Sequence, residues 1–185
     1  MKQKIIYTIG HSVHEIGYFL KMLQSFGIHT LVDIRHYPGS KRFPHFNKDY
    51  LETFLSQNNI VYKHLIELGG RRKPRPDSVN TAWRLPAFRG YADHMETDTF
   101  KKAVAELETL ALTNTCAYMC SEAVWWSCHR ALVSDYLKAK GWKVLHIMKE
   151  NKADEHPYSS AAQIVNGQLS YKAADLFNDD NERTV

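Results

Sequence analysis

The chain has 185 residues, 44% of them apolar, which suffices for one domain with a full core. A net charge of +4 excludes a polycation, and no apolar stretch approaches the roughly 20 residues needed to span a bilayer. Three cysteines do not make a disulfide framework, so a soluble protein of the reducing cytoplasm is expected, with its thiols as core, catalyst or ligand.

Met1–Lys4 leads into a short β-rich run, Ile5–Ile9, without the longer apolar segment of a signal peptide. Ser12, three residues before Glu15, has the spacing of a capping box. A helix follows with Ile16, Phe19, Leu20, Leu23 and Phe26 on one face and Gly27 just past its end. Leu31–Ile34 is a second strand carrying Asp33, and a loop from Arg35 to Phe46 precedes a helix capped by Asn47. Ile60–Ile66 reads as a third strand closing at Gly69–Gly70. Periodicity then disappears until about Gly90, a long connection of the kind that serves as a functional loop or a disordered excursion. Between Lys63 and Arg89 there are seven Lys/Arg against two acids. Helix resumes near Tyr91 with Phe100, Val104, Leu107 and Leu110; Cys116–Cys120 is the fourth strand and Val144–Met148 the fifth, with a helix through Leu132–Leu137 between them. Residues 151–185 are weakly patterned: Ala161–Val165 can be a short helix or strand, the tail after Asp175 is acidic, and the last residues should fray.

Strands alternating with helices predict a single α/β domain over residues 1–185, with its core in residues 5–150 and a basic loop at 70–90. The expected architecture is a mostly parallel five-stranded sheet with helices on both faces, a Rossmann-like or flavodoxin-like three-layer sandwich. In such sheets ligands bind beyond the carboxyl ends of the strands. Those ends carry the unusual residues: His11 and Ser12, then Asp33, Arg35 and Ser40, then the basic loop, then Cys120 and Glu122, with His146 within strand five. The connections at the opposite edge are short and bland, and this asymmetry marks a site.

The ordered set Thr8-Ile9-Gly10-His11-Ser12, Asp33-Ile34-Arg35 with Pro38 and Ser40, Leu68-Gly69-Gly70, Phe88-Arg89-Gly90-Tyr91, and Cys120-x-Glu122 with Cys128-His129-Arg130 resembles the bacterial and archaeal domain-of-unknown-function family 488. The resemblance runs from Ile5 to about Met148 and implies a compact α/β domain without specifying a reaction.

The residues themselves leave three chemistries open. Cys128 stands near a helix start beside His129 and Arg130, where a thiolate is favoured, so Cys120 and Cys128 fit a nucleophile or redox thiol. They also fit core packing, or metal ligation with His129 or His11, although the spacing lacks the tight knuckle of a zinc site. A phosphatase-like or rhodanese-like loop is disfavoured, because such loops place the arginine about six residues after the cysteine, whereas Arg130 follows Cys120 by ten and Cys128 by two. His11 and Glu122 are acid–base candidates, and Asp33 is either a catalytic carboxylate or half of a buried ion pair with Arg35 or His11. Ser12, Arg35, Ser40, Arg42, Arg89, Tyr91 and Arg130 would furnish a cavity for phosphate or carboxylate groups. Arg71, Arg72, Lys73 and Arg75 with Trp83 have the cation-plus-ring composition of a single-stranded nucleic-acid contact.

The first reading is an enzyme for an anionic small molecule, nucleotide or nucleic acid. The alternatives are a non-catalytic nucleic-acid or nucleotide-binding module and a metal-binding regulator. No cofactor or oligomeric state is specified, and no membrane partner is expected.

Overall fold

The computed structural model describes residues 3–173. Strands β1 (Ile5–Gly10), β2 (Thr30–Asp33), β3 (Val61–His64), β4 (Cys116–Cys120), β5 (Lys143–Lys149) and β6 (Lys152–Glu155) form one sheet in the order β3-β2-β4-β1-β5-β6. The first five are parallel, as expected; β6 pairs antiparallel with β5. This sixth strand, Lys-Ala-Asp-Glu, escaped the sequence reading because a largely exposed edge strand has no apolar run to betray it. A hairpin, β7 (Gln163–Val165) and β8 (Gln168–Ser170), stands apart from the sheet. Residues 151–171 nevertheless belong to the fold, since His156, Ala161 and Tyr171 are buried. The acidic tail and the expected fraying lie in residues 174–185, outside the described residues.

Pleating sorts the side chains into two cores. Ile9, Leu31, Ala117 and Met119 meet Phe19, Met22 and Leu23 of α1 (Ile16–Ser25) and Leu51 and Leu55 of α2 (Lys48–Gln57). Ile6, Val32, Cys116 and Tyr118, on the opposite face, meet α3 (Pro86–Met95), α4 (Asp98–Thr113) and α5 (Arg130–Ala139) through Tyr91, Phe100, Val104, Leu132 and Leu137. Period-2 alternation within a doubly covered sheet produces this division. Each fully buried Leu, Ile or Phe contributes about 1.5–3 kcal/mol, so both faces are needed to hold the sheet.

Local signals were followed unevenly. Gly27 adopts positive φ after α1, and the Thr97 hydroxyl caps α4 by accepting the Phe100 N–H. The capping box at Ser12 does not form. Ser12 has φ +47, its N–H donates to the Ser121 carbonyl, and the N-cap of α1 falls at Glu15, three residues after Ser12. Asn47 occupies the N-cap of α2, but its Oδ1 accepts the Ser40 N–H instead, so it ties down the preceding loop. Helix also starts earlier than Tyr91: Pro86 opens α3 with its φ already suited to a first turn.

Candidate active site

β1 leads to α1 on one face of the sheet, whereas its neighbour β4 leads to α5 on the other. The chain therefore parts at the carboxyl ends of β1 and β4, leaving a crevice at a topological switch point. The two ends are sewn together by His11 N–H to the Cys120 carbonyl and Ser12 N–H to the Ser121 carbonyl. Gly10 is required there, since a Cβ would lie 1.8 Å from the Glu122 carbonyl oxygen. A cleft of about 960 Å³ opens at this edge. Its walls include His11, Ser12, Arg35, Ser40, Arg42, Arg71, Tyr91, Cys120, Glu122, Cys128 and His129.

Cys120 ends β4, and Cys128 follows the 3-10 turn Trp125–Ser127 that brings the chain back over the strand end. Their sulfurs lie 2.9 Å apart. Arg130, 1% exposed, directs Nε at both, 3.1 Å from Cys120 Sγ and 3.4 Å from Cys128 Sγ. Its other donors reach the Thr8 hydroxyl at 3.1 Å and the carbonyls of Glu122 and Ala123 at 2.7 and 3.3 Å. Among the described residues it pairs with no carboxylate. A buried guanidinium without a counter-charge is very costly, and the thiol pair is the one acceptor beside it able to become anionic. Burial pushes the Cys128 thiol up, but the hydrogen bond from Cys120 and the charge and N–H groups of Arg130 outweigh it and bring it down to about 6. Cys120, buried and facing that thiolate, is held well above its ordinary value. The shorter Nε distance alone would place the charge on Cys120. Cys128 is favoured because it also receives the Arg130 backbone N–H and is the more exposed of the two, at 7% against 1%.

Behind Arg130 runs a second buried row. Arg130 NH1 donates to Thr8 Oγ1; that hydroxyl lies 3.4 Å from His146 Nδ1, His146 Nε2 2.9 Å from His156 Nδ1, and His156 Nε2 2.9 Å from Asp135 Oδ1. With both rings neutral, every bond in the row can donate in the same direction, from the guanidinium toward the carboxylate. Burial drives His146 down to about 2, in keeping with a neutral ring, and Trp125 stacks on it at 4.5 Å. Ser159 and Tyr171 complete the bonding of Asp135, which fixes residues 156–171 to α5.

On the other side of the crevice Asp33, fully buried, accepts from Arg35 Nε and NH2 and from the Tyr62 hydroxyl. This is the ion pair that one sequence reading expected, and it holds Arg35 NH1 3.2 Å from His11 Nε2. Burial, then the Arg35 charge, lower His11 to about 4; its ring stacks on Phe46 at 4.2 Å. A neutral His11 has both ring nitrogens engaged, Nδ1 donating to the Ser12 carbonyl and Nε2 accepting from Arg35. His129 is likewise lowered to about 4 by burial, and its Nε2 donates to the Ile34 carbonyl at 2.9 Å. These bonds engage the histidines that metal binding with Cys120 and Cys128 would need. Among the described residues no group of three or more His, Cys, Asp or Glu is arranged to hold a metal ion.

The remaining expected residues stand elsewhere. Arg130 lies behind the cleft wall and is spent on internal acceptors, which removes it from the anion-holding set. Arg89 donates to the Trp83 carbonyl. In the basic loop, Arg72 binds the Gly69 and Glu67 carbonyls, while Arg75 pairs with Glu96, Asp93 and Asp77. Trp83 packs on Phe88 and Tyr171. Lys73 is exposed outside the cleft, and Arg71, beside Tyr37, is the loop cation on its wall. Sequence reasoning missed Thr8, His36, Asp135 and His156 as parts of the site. Thr8 and His146 are polar interruptions of apolar strands, a usable signal; Asp135 and His156 carry none. His36 lines the cleft, and its buried Nδ1 has no hydrogen-bond partner among the described residues.

Fold and cleft together define a three-layer α/β protein with a buried pair of cysteines beside an arginine at its switch-point crevice. The chain belongs to the family described as domain of unknown function DUF488, which matches residues 15–137. That match takes in Cys120, Cys128 and Arg130 but is narrower than the expected span, stopping short of His146 and beginning after His11. Comparison with curated proteins and with solved structures gave no match. Among the described residues no helix is long and apolar enough to cross a membrane.

Proposed function

We infer that the protein is a thiol-dependent enzyme acting on an anionic substrate, nucleotide or nucleic acid being the class the cleft suits best. The supporting observation is Arg130: a buried guanidinium whose chargeable neighbours are the sulfurs of Cys120 and Cys128. It favours a standing thiolate on Cys128 at neutral pH, and that sulfur faces the cleft. The thiolate attacks an electrophilic atom of the substrate, whose leaving group departs with the bonding electron pair. Arg35 at the floor and Arg42 and Arg71 at the rim supply positive charge for phosphate or carboxylate groups. Tyr37 and Phe88 offer rings on the same walls. Glu122, exposed at the mouth, is the remaining acid–base candidate.

The test is iodoacetamide alkylation across pH, with mass mapping of the labelled cysteine. Cys128 should react with a midpoint near pH 6 and Cys116 should stay inert, its thiol being pushed up to about 12 by burial. A Cys128 that labels only above pH 8.5, as an ordinary thiol does, would refute the reading.

A further inference from the structure

Nucleophilic attack by Cys128 requires one sulfur, yet the cleft presents two. Cys120 and Cys128 come from different elements, the end of β4 and the residue before α5, and both line the cleft. Their sulfurs are in mutual contact at 2.9 Å, while the third cysteine, Cys116, lies deeper on the same strand. A thiol packed against a nucleophilic thiolate is placed to attack any sulfur bonded to it. We propose that Cys120 and Cys128 form a dithiol–disulfide couple that exchanges electrons with a disulfide substrate, Cys128 attacking and Cys120 resolving. This rests on the thiol-enzyme reading and goes beyond it, with an anionic disulfide in place of a nucleotide as the substrate.

The exchange balances as follows. The Cys128 thiolate attacks one sulfur of a disulfide R–S–S–R; a Cys128–S–S–R bond forms and R–S⁻ leaves. The Cys120 proton passes to the departing thiolate. Cys120 sulfur then attacks Cys128 Sγ, closing the Cys120–Cys128 bond and expelling the second R–S⁻, which takes a proton from water. The two protein thiols are oxidised and the substrate disulfide is reduced to two thiols. Arg130 assists the first step by holding Cys128 as the thiolate, and the low thiol value of Cys128 agrees with that order of attack. Arg42 and Arg71 at the rim favour a disulfide that carries carboxylates, of which oxidised glutathione is a convenient probe.

The experiment exposes the full chain to excess oxidised glutathione at pH 7 and follows mass, free thiols and released glutathione. The wild type should lose two hydrogens and two free thiols without retaining an adduct, and should release two equivalents of reduced glutathione. Cys120→Ser keeps a hydroxyl donor beside Cys128 and should stop at a stable glutathione adduct on Cys128. A wild type that itself accumulates that adduct, with Cys120 still titratable, overturns the couple while leaving Cys128 as a nucleophile. A wild type in which neither thiol reacts with glutathione or iodoacetamide overturns both readings. Because the wild-type measurement needs no variant, misfolding of Cys120→Ser would not shield the proposal.

Discussion

At the scale of single residues, the site turns on how Arg130 is held. Its three nitrogens meet two sulfurs, one hydroxyl and two carbonyls, which holds it against the thiol pair. Thr8 is the partner that can be removed without changing shape. Thr8→Val leaves a guanidinium N–H unsatisfied at a cost of about 1–3 kcal/mol and loosens the guanidinium against Cys128. A one-unit rise of its midpoint from about 6 should slow alkylation of Cys128 at pH 6.5 about threefold, through the smaller thiolate fraction. Thr8→Ser, which restores the hydroxyl, should recover the wild-type profile; a midpoint indifferent to both variants would count against the role given to Thr8. Gly10 tests the geometry from the other side. Gly10→Ala drives a methyl group into the Glu122 backbone, and the denaturant midpoint should fall by an amount equivalent to about 1–3 kcal/mol. None of these contacts is visible along the chain, because Thr8 and Arg130 are 122 residues apart.

At the scale of elements, the basic loop divides into a part that serves the fold and a part that faces the cleft. The loop crosses α3 at Gly90, where a Cβ would lie 2.5 Å from the Lys73 carbonyl carbon, and Arg75 clamps it to Asp93 and Glu96. Charge density in the sequence suggested a uniform cationic strip; the inward bonds of Arg72 and Arg75 break it up. If nucleic acid binds the cleft, Arg42 and Arg71 carry the phosphate contacts. Alanine at both should weaken a single-stranded oligonucleotide and reduce the slope of log affinity against log salt by about 1.4. Arg75→Ala should leave that slope unchanged, and an equal loss with Arg75→Ala would return the function to the whole loop. The same principle explains the failed capping box: Ser12 meets the local pattern, but pairing with Ser121 across the β1–β4 crevice sets its backbone first.

For the whole molecule, burial of neutral histidines and an ionised thiol makes stability depend on pH in a defined direction. His11 and His129 are lowered from 6.5 to about 4 and His146 to about 2, so their contribution is complete above pH 6.5 and is lost as pH falls through those values. Cys128, lowered from 9.0 to about 6, contributes fully above pH 9 and less as pH falls through 6. Cys116, held up to about 12, works the other way above pH 9. Urea midpoints should therefore rise from pH 4 to about 9 and then fall. Cys128→Ser should flatten the limb between 6 and 9 and spare the acid limb; an unchanged slope would show that no thiolate is present. The sequence by itself determined the parallel order of alternating elements, since apolar runs and helical spacing are local properties. It also determined the edge where the candidate residues gather, because every parallel strand delivers its last residues to the same rim. Only the tertiary structure decided which of those residues act together. The switch between β1 and β4, the turn of Cys128 onto Cys120 and the row from Arg130 to Asp135 depend on side-chain contacts between segments far apart in the chain, and no local pattern encodes them.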